Sequence, residues 1–273
     1  MRRTAAFLLF ALLLPFGALA ADDDGHVQIT RGRVVDQTSI PVYTYRIAQT
    51  YPHDPTSYTE GLVMENGAIY EGTGLYGQSK LRRWDLRTGQ VFNELPLERH
   101  YFGEGITVLD GVIYQLTYLA NIGFAYDQAT LRRKDSFRYV GQGWGLTHDG
   151  TQLLMSDGSS TIAVVDPKSF QVVNHVFVSD DIGPVGFLNE LEYVDGKLYA
   201  NIWQTNFIAI IAPQSGKIIG WIDLTGLNPD PAVLVHPYVL NGIAYNKETG
   251  RLLVTGKRWP HVYEIDLVLR DKQ

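Results

Sequence analysis

The chain has 273 residues, 23 of them lysine or arginine against 29 aspartate or glutamate, a formal net charge of −6, and no cysteine. That balance argues against a nucleic-acid or anionic-membrane surface, which needs a basic patch. Without cysteine there is no disulfide, no thiol nucleophile and no lipid anchor on sulfur, so stability has to come from the core.

The first element is a leader. Arg2 and Arg3 form a short basic start, residues 7–14 are apolar, and Ala18-Leu19-Ala20 supplies the small residues of a cleavage site. An apolar run this short predicts a signal peptide over residues 1–20 and not a membrane span. Cleavage would remove two of the basic residues and leave the mature chain more acidic. Export without disulfides fits a periplasmic or secreted protein, with no membrane association after cleavage. Residues 21–41 read as a lead-in segment, mobile to about residue 37. Residues 42–273 are expected to form a single all-β domain, since 12% aromatics, 27 glycines and 12 prolines suit many short strands and turns. No helix-length amphipathic pattern occurs anywhere.

From residue 60 onward the chain repeats itself. The units open at equivalent triplets, most of them a polar residue, a small one and an aliphatic one: Glu60-Gly61-Leu62, Glu104-Gly105-Ile106, Trp144-Gly145-Leu146, Glu190-Leu191-Glu192 and Asn241-Gly242-Ile243. The spacings are 44, 40, 46 and 51 residues, the range of propeller repeats. A turn follows each opening, at Asn66-Gly67, Asp110-Gly111, Asp149-Gly150, Asp195-Gly196 and, longer, residues 247–250. Asn-Gly and Asp-Gly between apolar runs are strong hairpin signals because both residues tolerate positive φ. A second strand comes next, as in Val112-Ile113-Tyr114, then a third that often ends in Asp (residues 81–85, 123–127, 162–166) and a fourth, as in residues 217–222. Five such units predict a five-bladed β-propeller with four antiparallel strands per blade. The last unit lacks its fourth strand, and residues 42–51 are expected to supply it and close the ring, which removes a free sheet edge.

Two decoys fall away. Gly72-Thr73-Gly74-Leu75-Tyr76-Gly77 matches a dinucleotide fingerprint, but residues 79–85 read as strand where that motif needs a helix. The seven histidines are scattered without metal-ligand spacing, and no Gly-x-Ser-x-Gly elbow exists.

The repeat register stacks Glu60, Glu104, Trp144, Glu190 and Asn241 around the axis. The ends of the second strands add a column of Thr73, Thr117, Gly158, Trp203 and Lys257. Taken singly, each has a structural reading. A glutamate can cap amides facing the channel, a tryptophan can be inter-blade core, and Lys257 can be a solvated surface residue. Their convergence on equivalent positions points to a site, and clustered carboxylates raise one another's pKa as acid–base work near neutral pH requires.

The segments carrying these residues resemble the plant and bacterial glutamine cyclotransferases. They are Tyr58-Thr59-Glu60-Gly61-Leu62, Phe102-Gly103-Glu104-Gly105-Ile106-Thr107, Gly143-Trp144-Gly145-Leu146, Leu188-Asn189-Glu190-Leu191-Glu192-Tyr193, Asn201-Ile202-Trp203-Gln204-Thr205 and Thr255-Gly256-Lys257-Arg258-Trp259-Pro260. The resemblance implies conversion of the N-terminal Gln of peptides and proteins to pyroglutamate with release of ammonia. It implies Glu104 as the acid–base residue, Lys257 and Asn189 as groups that hold the substrate and offset oxyanion charge, and Trp144 and Trp203 as walls of the slot. Glu60 falls where some members have Gln, so its charge is optional to the chemistry. Phe102, Gln115, Glu190 and Asn241 are further candidates for substrate contact. No cofactor and no metal are expected, no nucleic-acid partner, and a monomer. Two rival readings remain: a calcium-dependent lactonase-like propeller using Glu60, Glu104, Asn189 and Glu190 as ligands, and a non-catalytic binding propeller.

Overall fold

Alternation of apolar and polar residues, broken by tight turns, produces short antiparallel strands joined to their sequence neighbours. The computed structural model describes residues 30–228 and 238–271, so the signal peptide and the start of the lead-in lie outside the described residues. Three sheets have four strands each. The first contains β2 (Thr59–Glu65), β3 (Ala68–Thr73), β4 (Lys80–Asp85) and β5 (Val91–Pro96). The second contains β6 (Gly103–Leu109), β7 (Val112–Thr117), β8 (Ile122–Asp127) and β9 (Arg133–Arg138). The third contains β10 (Leu146–His148), β11 (Leu153–Met155), β12 (Thr161–Val165) and β13 (Val172–Phe177).

The fourth sheet has eight strands in two halves. One half is β14 (Leu188–Val194), β15 (Lys197–Ile202), β16 (Phe207–Ala212) and β17 (Lys217–Asp223). The other is β18 (Leu240–Asn246), β19 (Arg251–Gly256), β20 (His261–Leu269) and, from the far end of the chain, β1 (Val42–Pro52). β1 runs antiparallel to β20 from Tyr43 opposite Leu269 to Pro52 opposite His261, as the missing fourth strand required. It also touches β17 in parallel at Val42 and Tyr43, and this brief contact joins the halves.

The strands that open each unit contact one another in a cycle: β2 with β6, β6 with β10, β10 with β14, β14 with β18, and β18 with β2. The hydrophobic core sits between neighbouring sheets. Leu81, Ile106, Ile113 and Phe124 fill the space between the first and second sheets, for example, and Leu62, Ile69, Leu253 and Val262 the space where the last strands meet the first. Each fully buried aliphatic side chain there contributes about 1.5–3 kcal/mol of transfer free energy.

Local chemistry explains the turns. Asn66 and Gly67 have φ of 51° and 76°, Asp110 and Gly111 50° and 74°, Asp195 and Gly196 48° and 78°. These pairs match the positive φ at both positions that a tight hairpin demands. The third unit differs. Asp149 instead accepts hydrogen bonds from the Thr151 and Gln152 amides, which makes a longer connection with only Gly150 at positive φ. The aspartates that follow or end third strands have the same use: Asp85, Asp127 and Asp166 each cap an amide and hydroxyl three residues on, at Thr88, Thr130 and Ser169.

One expectation is corrected in the lead-in. Residues 33–37 form a helical turn, Arg33–Gln37, which packs onto the sheets. Val34 is fully buried beside Val178, Val185 and Trp221, and Arg33 Nε lies 3.3 Å from Asp180 Oδ2. Residues 30–37 are helical, barely two turns and too few to leave a clear helical period in sequence, and the anchor lies far along the chain. Residues 72–80 pass from β3 to β4 without a helix, so the glycine run there does not build a nucleotide site.

Candidate active site

Inner strands aim the site through a repeated irregularity. The register slips by one residue at the start of β2 (between Thr59 and Gly61), β6 (between Gly103 and Ile106), β14 (between Leu188 and Leu191) and β18 (between Leu240 and Ile243). The residues caught there include Glu60, Glu104, Asn189, Glu190 and Asn241. A bulge leaves one residue unpaired and redirects its side chain, so the polar opening residues leave the sheet plane toward the axis. Tight packing of the inner strands demands the small residue that follows. A Cβ on Gly105 would sit 2.5 Å from the Trp144 carbonyl oxygen, and one on Gly145 2.0 Å from that of Asn189.

Glu60, Glu104, Asn241 and Lys257 form one buried cluster. The Lys257 ammonium donates to Glu60 Oε1 at 2.7 Å, and Asn241 Nδ2 donates to Glu60 Oε2 at 3.2 Å. The Glu104 and Glu60 side chains lie within hydrogen-bonding reach of each other. Burial drives the Glu104 pKa well above the usual carboxylate range, and the negative charge of Glu60 adds to the effect. Burial also raises Glu60, against the opposing pull of Lys257. Burial disfavours the charge on Lys257 too, but Glu60, Tyr58 and Glu104 outweigh it and raise its pKa. Of the two carboxyls, Glu104 is the one pushed furthest toward its neutral form, while Glu60 keeps the lysine as counter-charge. Tyr58 precedes β2, and its ring sits 4.6 Å from the Lys257 Nζ.

Aromatic rings flank the cluster. Phe102 packs edge-on against Tyr58 and Tyr76 and also meets Tyr118. Gly74 lets it approach, since a Cβ there would stand 2.4 Å from the Phe102 ring and 3.0 Å from Glu60 Oε1. The Trp144 carbonyl accepts the amide of Gly105, the residue after Glu104, and the Trp144 ring meets Trp203 edge to face at 5.5 Å, with Phe187 stacked on Trp203. Both tryptophans are half-buried, and Trp144 Nε1 donates to Gln142. Gly158 again leaves room, as its Cβ would fall 2.7 Å from the Trp144 ring.

The remaining candidates divide. Asn189 is buried at the β14 bulge, and its Oδ1 has no hydrogen-bond partner among the described residues. Glu190 is committed to the main chain: Oε1 accepts from the Leu62 amide at 3.2 Å and Oε2 from the Ile243 amide at 2.8 Å. It ties β14 to β2 and β18 across the axis, which is the capping alternative raised above. Gln115 is fully buried behind Gly103, and its Oε1 accepts the Tyr126 hydroxyl. Tyr58, Tyr118 and Gly74 had no role assigned from sequence; the two-residue spacing of Tyr58 and Glu60 was the one available signal. With Glu60 bonded to an ammonium and Glu190 to two amides, the four residues of the calcium reading do not converge as ligands. Among the described residues no group of three or more His, Asp or Glu is placed to hold a metal.

A ring of antiparallel sheets whose inner strands begin on the neighbouring carboxyls of Glu60 and Glu104, with the Lys257 ammonium brought in from the end of β19, defines an all-β enzyme with an acid–base site. The sequence pattern of the family described as Glutamine cyclotransferase matches residues 23–267. A glutaminyl-peptide cyclotransferase of Arabidopsis thaliana is 41% identical over 225 residues, covering 81% of this chain and 70% of that protein. The crystal structure of Myxococcus xanthus glutaminyl cyclase superposes with a TM-score of 0.79 at 34% identity, covering 85% of this chain and all of that one. The chain belongs to the glutamine cyclotransferase family, enzymes of the acyltransferase class.

Proposed function

We propose that the chain cyclises the N-terminal Gln of peptides and proteins to pyroglutamate by general acid–base catalysis that needs no metal. The observation that carries this reading is the Glu60–Glu104–Lys257 cluster, in which a buried carboxyl whose pKa is pushed well up stands beside a carboxyl paired with a lysine. The neutral α-amine of the substrate attacks its own side-chain amide carbon, forming the ring C–N bond and an oxyanion. Glu104 gives its proton to the amide nitrogen, the exocyclic C–N bond breaks, and ammonia leaves. The ring nitrogen then returns a proton to Glu104, so the acid is regenerated and the atoms balance. Lys257 spends one of its three N–H donors on Glu60 and has others to offset the oxyanion, and the unpartnered Asn189 Oδ1 suits a substrate N–H. Trp144, Trp203 and Phe102 wall the slot and favour the curled substrate, an orientation effect. Asn241 holds Glu60 in place.

The cyclic contacts of the inner strands support a five-bladed propeller from residue 42 onward, with the eight-stranded sheet read as two blades sharing an edge. The leader supports export. Incubating the mature protein with a Gln-initiated peptide tests the function, by a loss of about 17 daltons and stoichiometric ammonia. A peptide that stays intact, with Glu104 unmodified and the protein folded, refutes it.

A further inference from the structure

A second buried polar network lies behind the reacting groups. His53 follows β1, and its ring nitrogens face two acceptors: Nδ1 lies 2.7 Å from the Trp259 carbonyl oxygen and Nε2 3.1 Å from Glu71 Oε1. A carbonyl has no proton to give, and neither has an ionised carboxylate. With Glu71 ionised, both ring nitrogens must carry hydrogen, which makes the ring an imidazolium. Glu71 Oε1 also accepts the Thr59 hydroxyl at 2.9 Å, while Oε2 faces the Ser57 hydroxyl at 3.5 Å and Arg82 Nη1 at 3.8 Å. Arg82 in turn donates to Asp54 Oδ2 at 2.9 Å and to Ser57. The groups facing His53 are thus Glu71 from β3, Arg82 from β4 with Asp54 beyond it, the Trp84 ring at 5.8 Å and the Trp259 main chain. Burial works against both charges. It raises Glu71, but His53 and Arg82 bring that carboxylate below its ordinary range, and it lowers His53, but Glu71 brings the imidazole above its own.

The network clamps the two segments that present the site. The His53 amide donates to the Pro260 carbonyl at 2.9 Å, and the Arg258 amide to the Ser57 carbonyl at 2.7 Å. One clamped segment runs through Ser57 and Thr59 into Glu60; the other contains Trp259, two residues from Lys257. Tyr58, under the Lys257 ammonium, is between the two residues that reach Glu71.

We propose that the His53 imidazolium and the Glu71 carboxylate are a positioning pair that sets the Lys257–Glu60 geometry, and that turnover requires His53 to be charged. The proposal rests on the cyclisation reading above. Loss of the His53 proton breaks one of its two hydrogen bonds and leaves Glu71 with Arg82 alone as a charged partner. The Lys257 segment is then free to shift, and a displacement of about 1 Å in a site that depends on orientation costs up to about a hundredfold in rate.

The test combines imidazole nitrogen NMR on the intact protein with steady-state kinetics across pH. In the native protein His53 should show two protonated nitrogens through neutral pH, and kcat should fall at alkaline pH in step with its deprotonation. His53→Gln should lower kcat/KM by about tenfold to a hundredfold and abolish that step in the profile. Glu71→Gln should do the same, and the double variant should lose no more than either single one, because the two act as a unit. Native kcat/KM in either folded variant overturns the proposal, as does a neutral His53 in fully active enzyme. If both variants fail to fold, a native kcat that is flat across the His53 titration still overturns it. A native protein that releases no ammonia from the peptide sinks the functional reading instead, while the NMR still decides whether the ion pair exists.

Discussion

Glu104→Gln separates chemistry from folding. The amide keeps the shape of the carboxyl and can donate a hydrogen bond to Glu60, but it cannot carry a proton. We expect kcat to fall by about 10²–10⁴, equivalent to about 2.7–5.4 kcal/mol of barrier. Stability should move the other way. Burial and the charge of Glu60 hold the Glu104 pKa well above its unfolded value of about 4.3. Between those two values the native chain binds more protons than the unfolded one, so the native protein loses stability as pH rises, by about 1.4 kcal/mol per pH unit for this group. The variant lacks that loss. Native and variant should melt together near pH 4, and the variant should melt higher at pH 7, each kcal/mol being worth about 2–4 °C for a chain of this size. Thermal melts at the two pH values and an ammonia-release assay measure both effects. Near-native turnover would move the acid–base role to another group. A stability difference that does not grow with pH would mean Glu104 is already ionised, and the proton assignment would fail.

Other outcomes follow from the same geometry. Lys257→Ala leaves Glu60 without its counter-charge, and the two side chains are only 5% and 2% exposed. Denaturant unfolding should therefore show a loss approaching about 3–5 kcal/mol, reduced by whatever protonation of Glu60 relieves, together with lost activity; a solvated lysine would show neither. Trp144→Ala and Trp203→Ala should raise KM and lower kcat/KM with little change in melting temperature, since both rings are half-buried, and a collapse of the fold would assign them to the core. Glu190→Gln replaces one acceptor with a donor facing either the Leu62 or the Ile243 amide, which should cost about 1–3 kcal/mol by urea unfolding while kcat stays within a few-fold of native. Exhaustive chelation should leave turnover intact; loss of activity restored by calcium or zinc would overturn the metal-free mechanism.

Local and periodic features were legible in the chain. Asn-Gly and Asp-Gly pairs mark turns because their backbones reach positive φ, and alternation over a few residues makes strands. The spacing of the units put Glu60, Glu104 and Asn241 at equivalent places, and the lone strand at residues 42–51 was legible because the last unit visibly lacked a partner. Charge state and partnership were not legible, because they depend on contacts between residues far apart in the chain. Glu60 and Glu190 both open a repeat, yet one meets an ammonium 197 residues away and the other two main-chain amides, 128 and 53 residues away. No sequence pattern separates them, because the difference lies in which strand end each side chain reaches across the axis. The bulges that aim them arise where tightly packed inner strands force an extra residue out of register. His53 and Glu71 carried no motif for the same reason: a buried ion pair is defined by the solvent and partners that tertiary packing removes or supplies.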